Sequence, residues 1–329
     1  MARDSAVAER HAPPQAPRAR DVPMIGFIAR RLVGLLIILF CVITITFFLI
    51  RLMPGGPFDR ERKLPPHIEA ELLSKYKLDG PLFTQYIDYL GDLLHGDLRL
   101  STKYRNRTVN EILADSLPVS ATLGGIAFCL ATGIGLFSGC LAASYQHSWI
   151  DRTAMFGSLV AISLPSFVIG PLLVLIFAIY IPLFPVGGWG TLQSLILPSI
   201  TLAAPYAAYI ARLTRASMLE VLTQDFVRTA RAKGLPESRV VYKHALRVAI
   251  LPVVSFLGPL AANLLTGSIV VESIFSIPGA GGFFVNSVLN RDGFLLAGVV
   301  IVYCALLVLF NLVADILYGV LDRRIILYD

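Results

Sequence analysis

The residues of this 329-residue chain that are able to do chemistry are dispersed. Its five histidines, His11, His67, His95, His147 and His244, share no spacing that would set two of them on one metal ion. No G-x-x-x-x-G-K-[ST] loop is present to cradle phosphates, and no G-x-S-x-G or H-E-x-x-H offers a nucleophile or a metal-bound base. The glycine-rich GAGG of residues 279–282 lacks the Lys-Ser/Thr that would follow it in a phosphate loop, and reads as a turn. Cys41, Cys129, Cys140 and Cys304 lie in apolar runs without C-x-x-C spacing and read as small buried hydrophobes. The sequence therefore predicts no catalytic residue, no metal site and no cofactor held by this chain.

What it offers instead is a basic segment set between two apolar runs, RTARAKGLPESRVVYKHALRVAILP, Arg228 to Pro252. Arg228, Arg231, Lys233, Arg239, Lys243, His244 and Arg247 are all within it. A charge at the centre of a membrane helix costs about 2.5–3.5 kcal/mol on insertion scales, so the loop from Arg212 to Ala249 lies at a membrane surface rather than across the bilayer. Met218, Leu219, Leu222, Phe226 and Ala230 recur at three- and four-residue steps and predict a first helix. Gly234 breaks the run, since a residue without Cβ accepts a left-handed turn. Pro236 opens a second helix in which Val240, Val241, His244 and Ala245 make an apolar strip rimmed by Arg239, Lys243 and Arg247. Such a unit suits either of two partners, an anionic lipid surface or a groove on another protein, and periodicity does not choose between them.

The elements around that segment are set by composition. The chain is 56% hydrophobic and 15% charged, with a mean hydropathy of +0.71, where soluble domains carry about 25% charged residues. Runs of about 20 apolar residues cross a bilayer core. They fall near 28–50, 120–143, 154–181, 192–211, 250–271 and 294–317, the third interrupted by Pro165 and Pro171. The fold class expected is all-α, a polytopic membrane protein of six transmembrane helices. The net charge of +6 is accounted for by basic loops on one side, and a nucleic-acid partner is not expected. The tail with Arg3, Arg10, Arg18, Arg20, Arg30 and Arg31, the loop 212–249, and Arg323 with Arg324 put both termini and the basic loop in the cytoplasm.

Four units are expected. Residues 1–23 are a disordered Ala/Pro/Arg-rich tail without the features of a cleaved signal, and 24–50 hold the first span. Residues 51–118 form a small extracytoplasmic helical insertion, and 119–329 the transmembrane core with its loop 212–249. In the insertion, Thr108 to Glu111 (TVNE) is a capping-box pattern, Pro81 suits a first helical turn, and Leu82, Phe83, Tyr86, Leu90, Leu93 and Leu94 share one helical face.

Polar residues within spans are candidates for a substrate path: Ser163 and Ser166 around Pro165, and Asn263, Thr266 and Ser268. Local hydrogen bonding or close packing accounts for them equally simply. Asn311 and Asp315, one turn apart, suit an anchor to a basic residue better than a proton relay. Between the last two spans, residues 272–293 form an outer re-entry turned by Pro278, Gly279, Gly281 and Gly282, with Phe283 and Phe284 placed to dip toward the membrane.

The segment DFVRTARAKGLPESRVVYKHALRVAILP resembles the cytoplasmic loop of ABC-importer permeases of the peptide class. ARLTRASMLEVL upstream and ESIFSIPGAGGFFVNSVLNRD downstream fit the same family, as do RLMPGGPFDRERKLPP, KYKLDGP and LGDLLHGDL in the outer region. The set resembles the B-type membrane subunit of oligopeptide permeases in particular, over residues 25–329. The chain departs from the general importer signature E-A-A-x-x-x-G: Arg228 and Thr229 stand at its Glu and first Ala, while Ala230 and Gly234 match. Further on, His244 and Arg247 replace its Ile and Pro, and Leu246 matches.

The resemblance implies a type I ABC importer permease fold in the bacterial inner membrane. It implies that Asp225, Phe226, Arg228, Thr229, Ala230, Ala232, Lys233, Gly234, Leu235, Arg239, Lys243 and His244 form an ATPase-coupling element. The apolar strip would fill a cleft, and the basic rim would set orientation. The implied partners are a homologous second permease, two cytoplasmic ABC ATPases that hold the ATP and Mg, an extracytoplasmic peptide-binding protein, the peptide itself and membrane lipid. Glu272, Pro278, Gly279, Phe283 and Asn286 would meet the binding protein. The alternatives are a dipeptide or nickel-chelate permease of the same superfamily and, from another class, an ion-driven secondary transporter.

Overall fold

The computed structural model describes residues 24–52, 66–104 and 106–321. The tail 1–23, the PGGP stretch and the terminal Arg323 and Arg324 fall outside the described residues. Helix α1 (Met24–Leu52) is followed by the insertion helices α2 (Pro66–Lys75) and α3 (Leu82–Leu94). The core is α4 (Val109–Ser144), α5 (Trp149–Ser163), α6 (Ser166–Val174) with a π-helical end (Leu175–Tyr180), and α7 (Leu192–Leu222). The basic segment forms α8 (Asp225–Ala232), α9 (Glu237–Arg239), a π-helical turn (Val240–Ala245) and α10 (Leu246–Ala249). Then come α11 (Leu251–Leu265), α12 (Ile269–Ile274), α13 (Ala280–Leu289) and α14 (Gly293–Leu321).

The all-α expectation holds among the described residues. Among the described residues five helices, counting α11–α12 as one, are long and apolar enough to cross a membrane, and the bent pair α5–α6 is a broken sixth span or a re-entrant loop. That pair corrects the continuous reading of 154–181. The chain turns through 107° between Ser163 and Ser166, because Pro165 lacks an N–H and holds the residue before it extended. Two further helices outrun their predicted ends. The capping box is formed, with Thr108 Oγ1 accepting from Glu111 N (3.1 Å) and Glu111 Oε2 from Thr108 N (3.1 Å). Yet the helix it opens continues through Pro118 to Ser144. Helix α7 runs eleven residues past the expected end of its span, carrying Arg212 and Arg215. The predicted helix from Met218 to Ala230 is two, separated at Thr223 and Gln224. Of the cysteines only Cys140 is buried; Cys41 and Cys129 are exposed, on helix faces with no covering element in this chain.

Helices α4 and α7 form the spine. A Cβ added to Gly135 would lie 2.6 Å from Ile210 Cβ, and one added to Gly139 would lie 2.5 Å from the Ala211 carbonyl oxygen. Small residues allow backbones this close in a membrane, where packing rather than the hydrophobic effect holds helices together. Around the spine gather Leu123, Ala127, Leu197, Leu202, Leu260, Leu264 and Phe275. A second core ties the insertion to α1, α4 and α14 through Phe47, Tyr86, Tyr89, Ile112, Phe294 and Leu295.

The insertion is fastened by charge as well. Asp92 accepts from Arg99 Nε (2.7 Å) and Lys77 Nζ (3.2 Å). Burial pushes the Asp92 carboxyl up, but these two hydrogen bonds and the charges behind them outweigh it and hold it below the ordinary range. A depressed carboxylate stabilises above its ordinary value of about 3.9 and loses that contribution as pH falls through the folded-state value.

Two predictions follow from this packing. Replacing Gly135 with Leu forces α4 off α7, at about 1–3 kcal/mol or more for an overpacked contact, and is read as a lower melting temperature in detergent. Acidification below about pH 4 should raise amide exchange in residues 76–100 of the parent, and Asp92→Asn should show that looser insertion already at neutral pH with a flatter acid limb.

Candidate functional site

At the basic end of the bundle, α8 to α10 are built onto the spine. Val227, Ala230, Val240, Val241 and Ala245 are buried against Cys140 and Ala143 of α4 and Met218 and Val221 of α7. The expected strip of Val240, Val241 and Ala245 therefore faces inward and offers nothing to another protein, and the same holds for Ala230. It was misread because one apolar strip serves equally for an internal and an external groove. His244 is half-buried beside it.

What α8 presents outward is the opposite face. Asp225, Phe226, Arg228, Thr229, Ala232, Lys233 and Gly234 are exposed, together with Arg239 and Lys243, and Leu235 is half-buried beneath them. Phe226 is 40% exposed and Tyr242 52%, two aromatic rings amid cations. Gly234 has φ +74°, and a Cβ there would meet open space, so the constraint on this residue is backbone conformation rather than room. Its N–H donates to the Arg231 carbonyl (2.9 Å). Across the turn Arg231 Nη2 donates to Glu237 Oε1 (2.7 Å), and that hydrogen bond holds the Glu237 carboxyl below the usual range. Of the sequence-predicted coupling residues, Ala230 is buried, Leu235 and His244 are half-buried and the others are exposed.

Two polar clusters, one toward each end of the bundle, were not read from the sequence. Asp151 of α5 takes both Arg215 Nε (2.6 Å) and Arg215 Nη2 (2.7 Å) from α7, and also accepts from His147 N (3.0 Å). Ser148 caps α5 by accepting from Asp151 N, so SWID was a legible helix start, but its long-range partner was not. At the other end, Glu272 is buried. It accepts from Ser120 Oγ (2.7 Å) and Gly281 N (3.0 Å), while Ser120 Oγ accepts from Ala280 N (2.9 Å). No local pattern links Ser120 to a residue 152 positions away.

That clasp corrects the outer-contact reading. Glu272 and Gly279 are enclosed and hold the turn; Pro278 and Asn286 are exposed. Phe283 packs edge-on to Tyr104 (5.5 Å) and joins the insertion core with Phe284, rather than dipping toward the membrane. Among the described residues the only hydrogen bond joining any of the five candidate path residues is a local one within the helix end, from Thr266 Oγ1 to the Asn263 carbonyl (3.1 Å). Ser163 Oγ donates to the Leu159 carbonyl, Thr266 Oγ1 to that of Ala262, and Ser268 caps α12. Ser166 is half-buried at the start of α6. Asn263 is exposed and accepts a long bond from Tyr206 OH (3.4 Å). Asn311 is half-buried on α14, which also carries Asp315.

The structure is thus a bundle of apolar helices long enough to span a membrane, with an exposed basic and aromatic plate at one end and a folded insertion at the other. Two family models match: "Binding-protein-dependent transport system inner membrane component" over residues 132–327 and its N-terminal counterpart over 24–124. The chain belongs to this family of binding-protein-dependent transport system inner membrane components, and is a multi-pass inner membrane protein. It is 48% identical over 304 residues, 92% of this chain and 99% of the relative, to the oligopeptide transport system permease protein OppB of Salmonella typhimurium. The figures are the same for OppB of Escherichia coli K12. Against the dipeptide transport system permease protein DppB of Lactococcus lactis subsp. cremoris, identity is 42% over 302 residues, again 92% and 99% of the two chains.

Removing a partner from a buried ion pair costs about 3–5 kcal/mol. Arg215 keeps 25% of its side-chain exposure, so Asp151→Ala should cost about half that, and Arg215→Lys less because one of the two bonds survives. Thermal unfolding of the detergent-solubilised chain measures both.

Proposed function

We propose that this chain is the permease subunit of an ATP-driven, binding-protein-dependent importer of oligopeptides, and that it forms half of the translocation path. The basic plate then lies in the cytoplasm with both termini, as the positive-inside rule directs. Two ATPase subunits carrying ATP and Mg grip it, a homologous second permease completes the path, and an extracytoplasmic binding protein delivers peptide above the insertion and the α12–α13 turn. The observation that carries this reading is the two-sidedness of α8. Its inner face is held by Val227 and Ala230 to α4 and α7, and its outer face, led by Phe226, Arg228 and the following Lys233, is exposed among the described residues.

The mechanism follows from that mounting. Force applied to Phe226 and its neighbours reaches α4 and α7 without a flexible joint, because packed interiors transmit displacement rather than absorb it. Arg215 and Asp151 pass it to α5, and the break at Pro165 lets α5 and α6 move by different amounts. The cations of the plate steer and orient the encounter, while Phe226 supplies the desolvated contact. The oligopeptide rather than dipeptide reading is supported by the higher identity to the OppB proteins.

Reconstitution with the partner subunits tests this. Phe226→Ala should lower peptide uptake at least tenfold, the loss of a central aromatic anchor being worth about 2 kcal/mol or more of binding. Gly234→Val, which strains the φ +74° turn, should leave membrane insertion intact and separate ATP hydrolysis from uptake. Unchanged uptake by both variants would remove the plate from the coupling route.

A further inference from the structure

Of the predicted apolar face of helix α3, Tyr86 is buried and Leu90 and Leu93 pack against the same core, while Leu82, Phe83 and Leu94 are exposed. Gln85, Tyr86 and Tyr89 point into the insertion core. Phe83, Ile87, Leu90 and Leu94, spaced four, three and four residues apart, form a second stripe along the helix. Phe83 is 73% exposed, Ile87 48% and Leu94 87%, and Leu90 is partly covered. The polar residues Thr84 and Asp88 lie on the far side of that stripe.

The position of α3 along α1 decides what covers the stripe. In α1 the uncharged run 32–50 lies between Arg31 and Arg51, about 28 Å of helix at 1.5 Å per residue and so close to the roughly 30 Å of a bilayer core. Tyr86 OH is hydrogen-bonded to Thr44 Oγ1 (2.7 Å), and its ring lies 5.3 Å from that of Phe47 and 5.5 Å from that of Phe48. Thr44 lies about 9 Å of helix inside the end of that run, so the contact is at the depth of the hydrocarbon, not above it. Phe48 both touches Tyr86 and remains 40% exposed, and Ile45 and Leu49 beside it are 58% exposed. Tyr86 thus fixes α3 against α1 at that depth, beside residues of α1 that are themselves exposed.

We propose that α3 lies in the membrane interface at the insertion end, with Phe83, Ile87 and Leu94 in the acyl chains of that leaflet and Thr84 and Asp88 toward water. An amphipathic helix with bulky apolar residues on one side and acids on the other lies flat at such a boundary, its apolar face some 5–10 Å deep. The insertion is then anchored to lipid as well as to α1, and its outer surface is held at a fixed height above the bilayer.

Single tryptophans test this in nanodiscs prepared with ordinary or acyl-brominated phosphatidylcholine, in a W149F/W189F background that removes both native indoles. The F83W and L94W emissions should be lost in brominated lipid and be insensitive to aqueous acrylamide, and D88W should behave in the opposite way. Should F83W fail to fold, I87W probes the same stripe. Acrylamide quenching of F83W and L94W with no effect of bromine would place the stripe in water and overturn the proposal. So would bromine quenching that disappears once the partner subunits are assembled, since protein rather than lipid would then cover α3.

Discussion

Gly135 and Gly139 let α4 and α7 approach until backbone meets backbone, and the rest of the molecule is arranged around that contact. A methyl group on either glycine would collide with Ile210 or with the Ala211 carbonyl. In lipid, apolar side chains gain little by leaving one apolar medium for another, so close van der Waals contact between small residues has to supply the association. The contact lies on the half of α4 nearest the basic end, and the surface segment is mounted on the same pair of helices. Cys140, Ala143, Met218 and Val221 extend the same seam toward α8, and Val227, Ala230, Val240 and Val241 close over it.

That platform explains why the basic segment is structured although most of its residues are polar. Isolated helices as short as α8 are marginal in water. Here the inner face of α8 is buried and its C-terminal turn is fixed by Gly234 and by the bond from Arg231 to Glu237. The outer face is exposed. The Asp151–Arg215 bridge extends the platform by one more helix, and α5 then ends at Pro165, where the chain turns sharply. A stiff unit bounded by a break is the architecture that converts a push at one end into a relative displacement at the other.

Much of this was legible in the sequence, for identifiable reasons. Hydropathy located the spans because lipid imposes a length, and the TVNE cap and Gly234 were readable because capping and left-handed turns depend on local chemistry. What depended on tertiary contact was not. Nothing local distinguishes Val240 and Val241 packed against the chain's own helices from the same pair awaiting a partner. The same ambiguity, reversed, applied to Phe83 and Leu94, which were expected inside and stand outside. Helix ends were misplaced where a polar residue was taken as a boundary. Arg212 and Arg215 continue α7 because Arg215 has a carboxylate to meet, and Asp151 lies 64 residues away. Glu272 was taken for a surface residue because a carboxylate within a spanning segment is improbable unless it has donors, and those donors come from Ser120 and a glycine turn.

The Glu272 clasp answers a requirement that membrane depth imposes on backbone. Helix α11 ends at Leu265 and α13 begins at Ala280, so the intervening turns leave amide groups without helical partners. Irregular backbone inside a bilayer persists only where protein satisfies it. Glu272 and Ser120 receive the amides of Gly281 and Ala280, and Gly267, Gly279 and Gly281 have no Cβ because the carboxylate occupies that space. The acid is thus committed to holding the turn, which argues against a role as a mobile proton carrier and so against an ion-driven cycle centred on it. It also ties the α12–α13 turn to α4, the helix whose other end bears the seam with α8. One helix therefore joins the polar clasp at one end to the mounted plate at the other.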